Sequence, residues 1–137
     1  MKGTRGLAFL VVLLMLGSPA SAALIGQTDQ QVQAIANPIL DAVLTGFNDG
    51  NYALYSKYFG PTLKDAITAK KFSRVRADIL KNLGKYQSRT YLGFLNKGNF
   101  TVVLWRGHFS ATKDDVLIKL VLSKRGDQVQ VAGLWFQ

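Results

Sequence analysis

The sequence predicts an α+β fold: N-terminal helices packed on a curved, mainly antiparallel sheet of about four strands. Two observations carry this. Between Thr28 and Gly84 the apolar residues recur at intervals of three and four, and from Tyr86 to the end they alternate. The alternating segments are joined by short, turn-like links (Asn96-Lys97-Gly98, Ala111 to Asp114, Lys124 to Asp127), which make hairpins rather than crossovers. Helices first and a meander last put the helices on one face of the sheet.

The N-terminus reads apart from this fold. Lys2 and Arg5 give a short positive region, Leu7 to Leu16 is an unbroken apolar run, and Gly17 and Pro19 break it. Ala20-Ser21-Ala22 then has the small-x-small pattern of a signal-peptidase site. The expectation is a signal peptide over 1–22, cut after Ala22, and a single domain over 23–137 that is exported to a bacterial periplasm or secreted. A run of about ten apolar residues is too short for a retained anchor, which needs roughly 20.

Of the 17 lysines and arginines, Lys2 and Arg5 leave with the signal; the eight acids are all aspartates, and there is no cysteine. Disulfides, thiolate metal sites and lipid attachment through cysteine are thereby excluded. Between Lys64 and Arg89 eight basic residues face only Asp65 and Asp78. Such a field suits acidic partners such as anionic lipid head groups, and it equally suits a solvated surface.

Each element has its own signals. Thr28 and Gln31 have the spacing of a capping box, and the stripe Val32, Ile35, Ala36, Ile39, Leu40, Val43, Leu44, Phe47 follows. Pro38 either kinks this helix or opens a new one behind Asn37; the unbroken phase of the stripe favours one kinked helix. Asn48-Asp49-Gly50 ends it. A short helix is expected from Asn51 to about Phe59, a third through Leu63, Ala66 and Ile67, and a fourth from Ser73, closed by Gly84. The fourth carries Lys71, Arg74, Asp78, Lys81 and Lys85 at the spacing of one exposed face.

The expected strands are 86–95, 99–110, 115–123 and 128–136. In the second, Thr101, Val103, Trp105, Gly107 and Phe109 share one face, and Phe100, Val102, Leu104, Arg106 and His108 the other. Both faces of the sheet are therefore apolar. One explanation is a strongly curved sheet with helices in its hollow and a partner, most simply a second copy, on its back. The other is the ordinary apolar content of protein surfaces.

At this point the chain resembles the nuclear-transport-factor-two-like, or cystatin-like, α+β cone superfamily, and within it the small secreted bacterial members of uncharacterised function. The likeness covers nearly all of the mature chain. It rests on the opening helix ending Phe47-Asn48-Asp49-Gly50-Asn51-Tyr52, the aromatic helix reaching Tyr58-Phe59, and the closing strand ending Gly133-Leu134-Trp135-Phe136. Asn51 stands where the family usually has an acid. The resemblance implies a pocket between sheet and helices and pairing through the outer sheet face. Members include isomerases, dehydratases and polyketide cyclases beside immunity proteins and binding modules, so the scaffold names no chemistry.

The residues that could carry chemistry are few. His108 is the only histidine, so mechanisms or metal sites needing two are excluded. Its strand neighbour Arg106 could help it hold an anion; a lone strand histidine can also be purely structural. Asp29, Asp41, Asp49, Asp65, Asp114, Asp115 and Asp127 read as helix ends, polar helix faces or turns, and Asp78 as a surface ion-pair partner of Arg74 and Lys81. Tyr52, Tyr55, Tyr91, Trp105 and His108 are the candidate pocket lining, with core packing as the plainer reading of the aromatics. Lys71, Arg74, Lys81 and Lys85 are the candidate anion-binding residues. Phosphate loops, nucleophile elbows and metal-ligand clusters are absent from the sequence, so no cofactor or metal is expected. No nucleic acid is expected either, because the aromatics of the basic stretch fall on its buried side.

These readings converge on a non-enzymatic exported domain binding a small apolar or amphipathic ligand or a protein partner, and pairing with itself. The alternatives are an isomerase- or cyclase-type enzyme using a tyrosine and His108, and a basic domain associating with anionic cell-envelope surfaces.

Overall fold

The computed structural model describes residues 24–137; the expected signal peptide and its cut after Ala22 lie outside the described residues. The first helix, α1 (Asp29–Asp49), runs unbroken through Pro38, as the unshifted stripe requires. Thr28 Oγ1 accepts the Gln31 N–H at 3.2 Å, and Gln31 Oε1 accepts the Gln27 N–H at 2.8 Å. This is a capping box whose return bond lands one residue early. Gly50 closes the helix at φ 68°, in the left-handed region that favours glycine.

The second helix, α2 (Tyr52–Tyr55), is shorter than the expected 51–59. Asn51 caps it, its side chain accepting the Leu54 N–H at 3.1 Å. Ser56 Oγ bonds back to Tyr52 O at 2.8 Å, and the chain then leaves the helix to join the sheet. The Val131 N–H bonds Tyr58 O at 2.7 Å and the Gly60 N–H bonds Val131 O at 3.0 Å, a single parallel bridge against the last strand. Pairing with a neighbouring strand thus outweighs the helical spacing of the aromatics. Then come α3 (Pro61–Ala66), with Pro61 in its first turn, and α4 (Ala69–Asn82). The latter starts four residues before the expected Ser73 because Thr68 Oγ1 accepts the Lys71 N–H at 3.3 Å.

The strands are β1 (Tyr86–Lys97), β2 (Phe100–Phe109), β3 (Val116–Arg125) and β4 (Gln128–Phe136), in the order β1-β2-β3-β4, antiparallel throughout. Three bulges interrupt the pairing: Gln87 and Leu92 are extra residues on β1, and Ala132 on β4. Bulges bend a strand and increase its twist.

One face of the sheet packs on the helices. Val103, Trp105, Phe109, Ile118, Leu120 and Leu122 meet Leu40, Leu44 and Phe47 of α1 in one buried cluster. Phe109 sits edge-on to Phe47 at 6.3 Å and against Phe136 at 5.4 Å. Gly46 lets α2 approach α1: a Cβ there would lie 2.7 Å from the Tyr55 Cα and closer still to the Tyr55 N. Two polar side chains lock the helices to the sheet and to each other. Asn48 exchanges both amide hydrogen bonds with the Tyr86 backbone, at 2.8 and 2.9 Å. Arg76 of α4 donates to Asn48 O at 2.9 Å and to Phe47 O at 2.6 Å, the latter also reached by the Gly50 N–H at 3.3 Å, so it helps satisfy the last carbonyls of α1.

Candidate functional site

The inner and outer faces of the sheet divide the candidate residues between them. Trp105 and Tyr55 are core. Trp105 is 1% exposed, with Tyr91 edge-on at 6.2 Å and the Arg89 guanidinium 6.0 Å above its ring. Tyr55 packs on Phe72 at 4.4 Å and Phe59 at 5.3 Å, and burial, aided by neighbouring Tyr52, pushes its hydroxyl up to about 12. The Tyr52 hydroxyl is spent on Ile67 O at 2.5 Å, tying α2 to the segment after α3. Tyr91 donates to Asp29 Oδ1 at 2.8 Å; desolvation and this carboxylate push it up to about 12 as well.

His108 stands on the opposite face. Its side chain is half exposed, and Nδ1 lies 4.0 Å from Asp115 Oδ1, a solvent-exposed contact that contributes little. The tyrosine–His108 constellation is therefore not assembled: Tyr91 lies on the inner face of the sheet and Tyr52 and Tyr55 on α2, while His108 lies on the outer face. Of the expected pocket lining, only Tyr91 and Trp105 share a cleft. It is a polar opening of about 450 Å³ between α1 and β1, bordered also by Gln33, Asn37, Gln87 and Arg89. Arg89 there is held by Asp41 at 2.8 Å and by the Tyr86 hydroxyl at 3.2 Å. Burial alone would lower its pKa, but the hydrogen bonds to Tyr86 and Asp41 leave it raised.

The basic stretch also divides. Arg76 and Arg89 turn inward onto carbonyls and onto Asp41. Lys71, Arg74, Lys81 and Lys85 are exposed, as are Lys64 and Lys70, and none of the six has a carboxylate partner among the described residues.

The outer sheet face carries what the inner one has finished with. Four large apolar side chains stand open on it: Leu92 and Leu95 at 54%, Phe100 at 45% and Trp135 at 47%. Leu95, Phe100 and Trp135 are placed there by register, and the bulge residue Leu92 opens on the same side beside Arg106 and Leu117. Leu95, Val102, Val121 and Gly133 form one rung across all four strands, and Leu104, Lys119 and Trp135 part of the next. Single exposed apolar residues are ordinary, but a set sharing one face is informative.

Beside β4 this face deepens into a groove of about 500 Å³, walled by Pro61 and Leu63 of α3. Its floor includes Phe100, Val121, Ala132 and Trp135, and Arg125 is the only charged residue lining it among the described residues. The Trp135 ring lies across Gly133, where a Cβ would meet it at 2.5 Å, with the Lys119 ammonium 4.9 Å from its centroid. Sequence reasoning used Trp135 as part of the closing-strand motif and overlooked Arg125; alternation along β3 puts Val121, Ser123 and Arg125 on one face, and that signal was available.

Among the described residues no cluster of three metal-binding side chains occurs, and no helix is long and apolar enough to cross a membrane. Compared with known proteins, the chain matches no family model, no curated protein and no solved structure.

Proposed function

We propose that the protein is an exported, non-enzymatic binding domain of the nuclear-transport-factor-two-like kind, working through the outer face of its sheet, and that two copies pair back to back there. The observation that carries this is the row of open apolar side chains on the face turned away from the helices. Export is supported by the charged, apolar and small-residue segments that precede the domain. The scaffold reading is supported by the element order: a long opening helix ending at Gly50, then short helices, then a meander.

Leu92, Leu95 and Leu104 provide the pairing surface on β1 and β2. A two-fold axis would set this patch against its own copy, which is what a self-complementary interface needs. Light scattering coupled to size exclusion tests the pairing. The expected mass is twice that of one chain, falling to one chain in Leu95→Asp with the fold retained by circular dichroism. A monomer at millimolar concentration sinks the pairing.

A second reading is carried by a separate observation, the six unpaired cations of α3, α4 and their flanks. They support association with an anionic envelope surface at about 1 kcal/mol per cation near the bilayer. Co-sedimentation with phosphatidylglycerol vesicles should be strong at low salt and lost in the triple variant Lys71→Glu, Arg74→Glu, Lys81→Glu. Failure to bind at low salt removes this reading.

A further inference from the structure

We propose that the groove between α3 and the outer face of β3 and β4 binds an amphipathic organic anion, its apolar part on Trp135 and Phe100 and its anionic head at Arg125. This rests on the outer face being the working surface and adds the chemical class of what it takes. Four observations lead there. At about 500 Å³ the groove is within the range that holds small ligands. Its floor is aromatic and aliphatic, and it is open to solvent, whereas the hollow under the helices is filled by Trp105, Phe109 and the side chains of α1.

The charge around it has one sign. Arg125 is the only charged lining residue, no aspartate lines the groove, and Arg125 has no carboxylate partner among the described residues. Lys119 adds a second cation next to the groove, its ammonium over the Trp135 ring at 4.9 Å from the centroid. A planar guanidinium with free donors at the edge of an apolar floor recognises a carboxylate or sulfonate bidentately. Finally, the aromatic plate is pre-set. Gly133 beneath and Lys119 beside Trp135 fix the ring, so little side-chain freedom is lost on binding.

The pairing patch shares no residue with the groove lining. Leu92 and Leu95 lie on β1, three strand spacings from Trp135 on β4, and Leu104, the near edge of the patch, lies two, or about 10 Å at the usual inter-strand distance.

The test uses the purified protein with decanoate and its neutral counterpart 1-decanol as probes. Of the two tryptophans Trp105 is 1% exposed, so a fluorescence change reports Trp135. Decanoate is expected to bind about tenfold or more tighter than decanol. Arg125→Gln should weaken decanoate about tenfold and leave decanol unchanged. Equal binding of the two probes, no effect of Arg125→Gln, or no decanoate binding at all overturns the assignment. Absent decanoate binding in a dimer that Leu95→Asp still splits overturns the groove alone and leaves the outer-face reading standing. A monomer that binds decanoate through Arg125 keeps the groove and removes the pairing.

Discussion

Tyr55 holds a hydroxyl inside an aromatic cage of Phe59 and Phe72, and its pKa of about 12 against an ordinary 10.0 has a consequence for stability. In the unfolded chain the phenol ionises near 10; in the folded chain it keeps its proton to about 12. The folded state therefore binds more protons between those values, and stability falls as pH rises through that window. Two pKa units correspond to about 2–3 kcal/mol for this buried group. Urea unfolding at pH 9 and pH 11.5 should show the loss, and Tyr55→Phe should shrink it. Tyr91 contributes in the same direction, since desolvation and the hydrogen bond its hydroxyl donates to Asp29 push it up to about 12 as well. At this scale the sequence was partly legible. The candidate aromatics were identifiable as core, but their alternation could not say which face of the sheet was inner. His108 and the tyrosines consequently looked able to share a pocket, and the register sends His108 to the side opposite Tyr91.

Among the elements, the junction of α1 and α2 is the tightest. Ala is the better helix former by about 1 kcal/mol, so propensity alone favours Gly46→Ala. The added methyl, however, meets the Tyr55 backbone at 2.7 Å and closer, and the Asn51 carbonyl at 2.9 Å, where no side chain can swing aside. Overpacking of this kind costs about 1–3 kcal/mol or more. The net expectation is a loss of about 2 kcal/mol in urea unfolding, while Thr45→Ala, one residue away and exposed, is neutral or stabilising. Helix ends were legible at Thr28, capped by its hydroxyl, and at Gly50, capped by its left-handed backbone. The start of α4 was placed four residues late although Thr68 caps it locally, and the end of α2 was misjudged because the deciding bond is distant in sequence. The helix at Tyr52 stops early because residues 58–60 pair with Val131 more than 70 positions later, and nothing local to Phe59 announces that. The inward roles of Arg76 and Arg89 were hidden for the same reason, since both act on α1, tens of residues upstream.

At the scale of the whole molecule, a switch from helical to alternating period was enough to read the order of elements, the four-stranded meander and the one-sided packing. The binding groove was not, because its walls come from α3, β2, β3 and β4, and only the folded chain brings them together. The bridge between residues 58–60 and Val131 has a further effect. An open sheet exposes two rows of unsatisfied backbone groups, each able to template another strand. Here one row is already occupied at Val131, and the other is broken by bulges at Gln87 and Leu92. Strand-by-strand polymerisation needs both rows continuous in the same molecule. With that route obstructed, a chain carrying a bare apolar sheet face can reach high local concentration and still form a closed, finite assembly rather than a fibre.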